Sequence, residues 1–138
     1  MNKKHNSDIA IINASTALLL AVSHADNHID KNEIKIIKDI ISDFFNLELL
    51  NIDSLIQENL KTLEVSTDFY EFGKILNENF TYQDKIDFIC CTFEVAYIDN
   101  EMHYHEEHII KKISYILNVE HQDLIKAKTE IASLLVKK

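Results

Sequence analysis

The chain has 138 residues and a formal net charge of -9, with one glycine and no proline. All of its basic charge outside histidine is lysine, because arginine does not occur. The scarcity of glycine and proline excludes a fold built on tight hairpins and permits long helices. An acidic chain without arginine is also a poor match for nucleic acid or anionic lipid, and a better one for cations or basic protein surfaces.

Apolar residues recur at helical spacing along the whole chain, which predicts an all-α fold. The first helix, at about residues 8–25, is apolar enough to lie at the centre of a bundle. Asn46 and Asn118 are expected to end the second and sixth helices in the left-handed conformation. Thr81 and Asp84 are expected to cap the fifth. The helices after the first are predicted at about residues 31–46, 53–64, 67–79, 81–96, 104–117 and 121–136.

The N-terminal segment has a superficial likeness to a secretion signal, since Lys3 and Lys4 precede an apolar run that ends near Ala25. Polar residues interrupt that run, and cleavage after Ala25 would remove the first predicted helix. We therefore expect a cytoplasmic protein that retains its N-terminus. No stretch is long and apolar enough for direct insertion into a membrane.

The only cysteines, Cys90 and Cys91, are adjacent. Neighbouring cysteines on a helix point in different directions and cannot bridge easily, and they lack the CxxC spacing of a metal site. We therefore expect both to be reduced and at least partly buried, with Cys90 on the core side of the fifth helix. The apolar stripe of that helix is expected to comprise Ile86, Ile89, Cys90, Phe93 and Ala96.

One acidic turn occurs twice in the sequence, as SHADNHIDKNE and again as AYIDNEMHYHEEH. A shift of 73 residues aligns Asp26 with Asp99 and Glu33 with Glu106. Each copy follows a long apolar helix and precedes an amphipathic one, so the repeat is larger than the turn.

This repeat predicts a single domain, residues 1–138, with one shared core. It would contain two pseudo-equivalent helix-turn-helix halves, at residues 8–64 and 81–136. A connecting helix at residues 67–79 would join them.

Helix capping alone can account for much of the repeated turn. Asp30 is placed to cap the helix that follows the first copy, and Glu33 lies three residues later, as in a capping box. His103 and Glu106 occupy the matching positions in the second copy. On this interpretation the turn only starts and stops helices.

Binding of a cation explains the aspartates of the two turns better than helix capping does. Asp26 and Asp99 are predicted at the C-terminal ends of helices, where the dipole disfavours negative charge by about 0.3–1 kcal/mol. Capping also has no need of an aspartate seven positions before the glutamate. A divalent cation gains from carboxylates that converge from both sides of a turn.

The stretch DNHIDKNE also matches the second half of an EF-hand loop. The first and third loop positions would be Val22 and His24 in one copy, and Val95 and Tyr97 in the other. An EF-hand requires acidic ligands there, so we reject a complete EF-hand. It stays open that each copy is half of a site, and that the two copies together bind one cation.

The block AD(G/N)xI(D)xxE, present twice in an all-helical chain, resembles the tellurite-resistance TerB-like family. The same fold supplies the N-terminal domain of DjlA-type co-chaperones. The resemblance covers about residues 8–136. This sequence has Asn27 and Asn100 where the family usually has glycine, and asparagine meets the same backbone need. No J-domain is present, so the resemblance does not extend to a co-chaperone role.

This resemblance implies a compact bundle of about seven helices. It implies a role in stress responses, with a protein partner in a membrane-associated complex. It also implies a divalent-cation site, for calcium, at the two turns. The implied ligands are Asp26, Glu33, Asp99 and Glu106, with Asp30 and His103 as further candidates.

Three other functions stay open. The acidic turns could dock a basic protein partner without any metal. Catalysis by paired carboxylates is disfavoured, because the chain has no nucleophile elbow, phosphate loop or HExxH helix. A zinc-type site would combine one or two carboxylates with the histidines around the turns, which are His24, His28, His103, His105 and His108.

Overall fold

The computed structural model describes residues 2–24, 31–47, 52–65, 69–98 and 102–135. These residues form seven α-helices and no strand, which confirms the predicted all-α bundle. The helices are α1 (Asn2–Ser23), α2 (Lys31–Phe45), α3 (Ile52–Val65), α4 (Phe69–Asn79), α5 (Tyr82–Ala96), α6 (Tyr104–Ile116) and α7 (His121–Leu135).

Most helix boundaries agree with the predicted ones to within two residues, and α1 is the exception. It begins at Asn2 rather than near residue 8. Its first turns are polar, so they add nothing to an apolar stripe, yet their residue types are compatible with a helix. The predicted start of α4, at residue 67, lies outside the described residues.

Helix α1 runs through the centre of the bundle, as its composition predicts. Every residue from 14 to 23 is buried, and the helix packs against α2, α3, α4, α5 and α6. Its buried polar groups need internal partners, and the Thr16 hydroxyl donates to the Ile12 carbonyl at 2.8 Å. None of the helices in the described part of the chain combines the length and apolar character needed to cross a bilayer.

Helices α2 and α6 are buried at equivalent positions, which is the structural counterpart of the sequence repeat. Each buries one glutamate in its first turn and then three residues spaced to face the core. All four positions are separated by the same 73 residues that align the turns: Glu33, Ile37, Ile40 and Ile41 in α2, and Glu106, Ile110, Ile113 and Ser114 in α6.

Both helices also end in the same way. Asn46 and Asn118 have positive φ angles of 56° and 61°, which confirms the two predicted left-handed stops. The next residue then folds back: Leu47 N–H donates to the Ser42 carbonyl at 2.9 Å. Val119 N–H donates to the equivalent carbonyl in α6 at 3.0 Å. These are the bonds of a Schellman motif, in which asparagine replaces the usual glycine.

The predicted core stripe of α5 is too narrow. Phe88 is 1% exposed and Val95 is completely buried, although neither belongs to the predicted stripe. Ile86 and Cys90, which do belong to it, are only half-buried. The reason is tertiary: α5 contacts α1, α2, α6 and α7, so it is covered on more than one side.

Gly73 marks a close approach of α4 to α6. A Cβ atom at this position would overlap Ile116 Cγ2. We expect Gly73→Ala to destabilise the chain by about 1–3 kcal/mol through overpacking, even though alanine favours a helix by about 1 kcal/mol over glycine. Urea denaturation followed by circular dichroism measures this difference.

The matched control for Gly73 uses Ile116→Ala, which removes the methyl group that would be overlapped. In that background Gly73→Ala should stabilise the chain by up to about 1 kcal/mol, because only the helix preference remains. A loss of stability of equal size in both backgrounds would contradict the contact between α4 and α6.

Candidate functional site

Three of the six predicted ligands lie in the described part of the chain. Glu33 is in the first turn of α2, His103 directly precedes α6, and Glu106 is in the first turn of α6. The other three, Asp26, Asp30 and Asp99, lie outside the described residues, so the structure assigns no positions to their carboxylates.

Glu106 makes the backbone bond that the capping interpretation requires. His103 has an extended backbone, with φ -80° and ψ 153°, and its N–H donates to Glu106 Oε1 at 3.1 Å. The same arrangement starts α5, where Thr81 N–H donates to Asp84 Oδ2 at 3.0 Å and Asp84 N–H donates to Thr81 Oγ1 at 3.1 Å. The predicted cap of α5 is therefore confirmed.

Burial distinguishes the glutamates of the turns from an ordinary cap. Asp84 performs its capping role while half-exposed, whereas Glu106 is 1% exposed and Glu33 is 5% exposed. Burial of a carboxylate is costly unless its charge is compensated. Capping explains the bond to His103, but it does not require two equivalent glutamates to be enclosed.

The residues that directly precede the second turn lie beside the start of α2. Ile98 lines a surface pocket of about 350 Å³ together with Asn32, Lys35, Ile36 and Asp39. The described residues at the end of α5 and at the start of α2 therefore lie near each other. The superposition of the two halves and the convergence of their aspartates stay predictions.

The structure agrees with the rejection of an EF-hand. Val22 and Val95, at the first loop position of each copy, are completely buried in the apolar core. His24 and Tyr97, at the third position, are half-buried. Neither half has a carboxylate where an EF-hand places its first two ligands.

The histidines near the second turn give the zinc interpretation little support. His103, His105 and His108 are all exposed, and the His105 ring contacts the Tyr104 ring at a centroid distance of 5.6 Å. Within the described ranges, no three histidine, cysteine, aspartate or glutamate side chains are grouped so that they could hold a metal ion. His28 lies outside those ranges.

A groove between α2 and α5 was not predicted from the sequence. Its first part, of about 290 Å³, and the pocket beside Ile98 are adjacent on α2 and share two lining residues, Ile36 and Asp39. The available signal was the pair Asp39 and Asp43, four residues apart on α2, but their relation to α5 depends on tertiary packing. We define the α2/α5 groove by Asn32, Lys35, Ile36, Asp39, Ile40, Asp43, Phe44, Cys91, Glu94 and Ile98.

Negative charge accumulates in the α2/α5 groove. Partial burial raises the pKa of Glu94, and the nearby charge of Asp43 raises it further, while a hydrogen bond with the Cys91 thiol acts in the opposite direction. Burial thus makes the negative charge of Glu94 costly, and the adjacent carboxylate adds to that cost.

Cys90 and Cys91 are free and half-buried, as predicted. Burial raises the pKa of Cys90 to about 11, with smaller contributions from the carboxylates of Glu130, Asp87 and Glu94. Burial raises the pKa of Cys91 further. Since the thiolate is the reactive form, both thiols are expected to be unreactive near neutral pH.

The free energy of unfolding should fall as the pH rises from 9 to 11, because the unfolded thiol ionises near pH 9 and the folded Cys90 thiol only near pH 11.

We expect alkylation of both thiols to be much slower in the native chain than in urea at neutral pH, and to accelerate as the pH approaches 11. Mass spectrometry of the labelled Cys90→Ala and Cys91→Ala variants measures the rate at each thiol separately. Equal labelling rates with and without urea would contradict their burial.

Comparison with known proteins identifies the family of this chain. The family model described as "Tellurite resistance protein TerB" matches residues 13–129, from within α1 to within α7, and includes both acidic turns. No curated protein and no solved structure gives a significant match.

Proposed function

This chain belongs to the TerB family, and we propose that it is a non-enzymatic domain that binds a divalent cation, calcium rather than zinc, at its two acidic turns. The observation that carries the proposal is the burial of Glu33 and Glu106 at equivalent positions, at the starts of the helices that follow the turns. The residues that would hold the ion are Asp26, Glu33, Asp99 and Glu106, with Asp30 and His103 as further candidates.

The chemistry of these residues fits calcium. Calcium takes six to eight oxygen ligands at about 2.3–2.6 Å, mostly from carboxylates, backbone carbonyls and water. Zinc prefers thiolate and imidazole ligands, but both cysteines are on α5 and the three histidines around α6 are exposed. Carboxylates that are brought together repel one another, and a bound cation would offset that repulsion.

A buried hydroxyl group at the end of α1 supports a cation at the first acidic turn. Ser23 is the last residue of α1 and is completely buried, and its Oγ has no hydrogen-bond partner among the residues that the structure describes. Buried hydroxyl groups are normally paired with protein or water. Ser23 precedes Asp26 by three residues, so a hydrated ion in the first turn could provide the missing partner.

A second candidate uses the acidic turns without a metal, as a docking surface for a basic protein. The net charge of -9 and the neighbouring carboxylates of α2 and α5 favour it. In either case we place the chain in a cytoplasmic stress response, with a protein partner that belongs to a membrane-associated complex.

Calorimetric titration of the chelator-treated chain tests the proposal. Calcium should bind with measurable heat and in competition with magnesium and manganese, whereas zinc should bind more weakly. Tighter binding of zinc would favour the histidine-based alternative. Absence of heat with all four ions, together with an unchanged melting temperature, would reject the cation site and leave the docking candidate.

A further inference from the structure

The α2/α5 groove combines an apolar floor with an acidic rim. Its floor is formed by four half-buried or buried side chains, and its rim by three carboxylates that are exposed or half-exposed. The floor comprises Ile36, Ile40, Phe44 and Cys91, and the rim comprises Asp39, Asp43 and Glu94.

The groove is long enough to receive a helix. It follows α2 from Asn32 to Phe44, which corresponds to about 18 Å at the rise of an α-helix. Its two parts, of about 290 and 350 Å³, share Ile36 and Asp39 as lining residues. An amphipathic helix of three turns spans this length and presents apolar side chains along one face.

The carboxylates of the rim are not neutralised within the described part of the chain. The salt bridges there join Lys38 to Asp53 and Lys128 to Glu107, so neither reaches the rim. Lys35 is the one basic residue of the groove, and it lines the part beside Ile98. Asp39 and Asp43 are also four residues apart on one helix, where like charges destabilise each other.

We propose that the α2/α5 groove binds a basic amphipathic helix of a partner protein. The apolar face of that helix would cover the floor, and its lysine or arginine side chains would pair with Asp39, Asp43 and Glu94. This charge complementarity selects a basic partner and disfavours a second copy of this acidic chain. The proposal does not depend on the cation, because none of these three carboxylates is among its candidate ligands.

The test uses the whole chain in the presence of a chelator, which removes any contribution of the cation. The probe is a synthetic helical peptide with leucines along one face and lysines along both flanks. We expect saturable binding by calorimetry, with amide chemical-shift changes concentrated in α2 and α5. Affinity should also fall as salt is added, because exposed charge pairs are screened.

Matched variants distinguish binding in the groove from a general attraction between a basic peptide and an acidic chain. The triple variant Asp39→Asn, Asp43→Asn and Glu94→Gln should weaken binding of the peptide by about tenfold or more. The control Glu78→Gln, Glu120→Gln and Glu130→Gln removes the same charge from exposed positions outside the groove, and should change the affinity by much less. The groove variant should keep or raise the melting temperature, because repulsion within α2 is relieved.

Four results would overturn the proposal. One is an equal loss of affinity in the groove variant and the control. The second is a set of shift changes spread over the whole surface. The third is equal binding of a peptide in which glutamate replaces lysine. The fourth is dimerisation of the free chain, seen by analytical ultracentrifugation, that the groove variant abolishes, since the groove would then be an interface between copies.

Discussion

Replacing Phe88 by alanine is expected to lower the free energy of unfolding by about 3–5 kcal/mol, the range for deletion of a buried phenylalanine. Phe88 is 1% exposed. Its ring meets Phe44 of α2 edge-on at a centroid distance of 6.4 Å, and Phe80 before α5 at 6.1 Å. Alanine would leave a cavity in this cluster and remove two aromatic contacts.

This effect bears on the site as well as on stability, because Phe88 holds α5 against α2. That packing keeps Ile98 beside the first residues of α2. Phe88→Ala should therefore also weaken any function that needs the two turns close together.

Denaturant unfolding measures the change at Phe88, and Tyr70→Ala provides the control. Tyr70 is 67% exposed, so its replacement should alter stability by no more than about 0.5 kcal/mol. A loss of less than about 1 kcal/mol for Phe88→Ala would mean that α2 and α5 do not pack through this ring.

The features that could be predicted from the sequence depend on residues close together in the chain. Asn46 and Asn118 end their helices because asparagine tolerates the left-handed conformation, whatever surrounds it. Thr81 and Asp84 cap α5 through bonds that span three residues. Helical periodicity likewise gave the number of helices and most of their limits.

The features that could not be predicted arise from packing between helices. Phe88 lies off the predicted stripe when α5 is considered alone, but several helices surround α5 and widen its buried face. The α2/α5 groove has the same origin, because Asp43 and Glu94 are 51 residues apart in the sequence. Periodicity reports one face of one helix and carries no information on its neighbours.

For Glu33 and Glu106, the place in the fold was predictable but the surroundings were not. The repeat identified Glu33 and Glu106 as equivalent, and the structure places both at equivalent positions in α2 and α6. Their burial was unexpected, since capping residues in a first turn are commonly solvated. Only tertiary structure shows that the bundle encloses both carboxylates.

Calcium is expected to stabilise the chain, and the double variant Asp26→Asn with Asp99→Asn should abolish that stabilisation. An ion that binds only the folded state adds about 2.7 kcal/mol at a concentration one hundred times its dissociation constant. For a domain of this size, such a gain corresponds to a rise in melting temperature on the order of 10 °C. Asparagine keeps the shape of aspartate but removes the charge that attracts the ion.

Without any cation, the same double variant should be as stable as the natural chain or slightly more so. Carboxylates that lie close together repel, and replacement of two of them relieves the repulsion. The matched control is Glu120→Gln with Glu130→Gln, which removes the same charge from exposed positions. That control should keep the full response to calcium.

Thermal melting tests the cation site most directly. The natural chain and the Asp26→Asn, Asp99→Asn variant are both treated with chelator and then melted with and without saturating calcium. The proposed site predicts a clear rise in melting temperature for the natural chain and none for the variant. A natural chain whose melting temperature does not respond to calcium, magnesium or zinc would contradict the site. Glu33 and Glu106 would then be buried helix caps, and the acidic surface would act through protein docking.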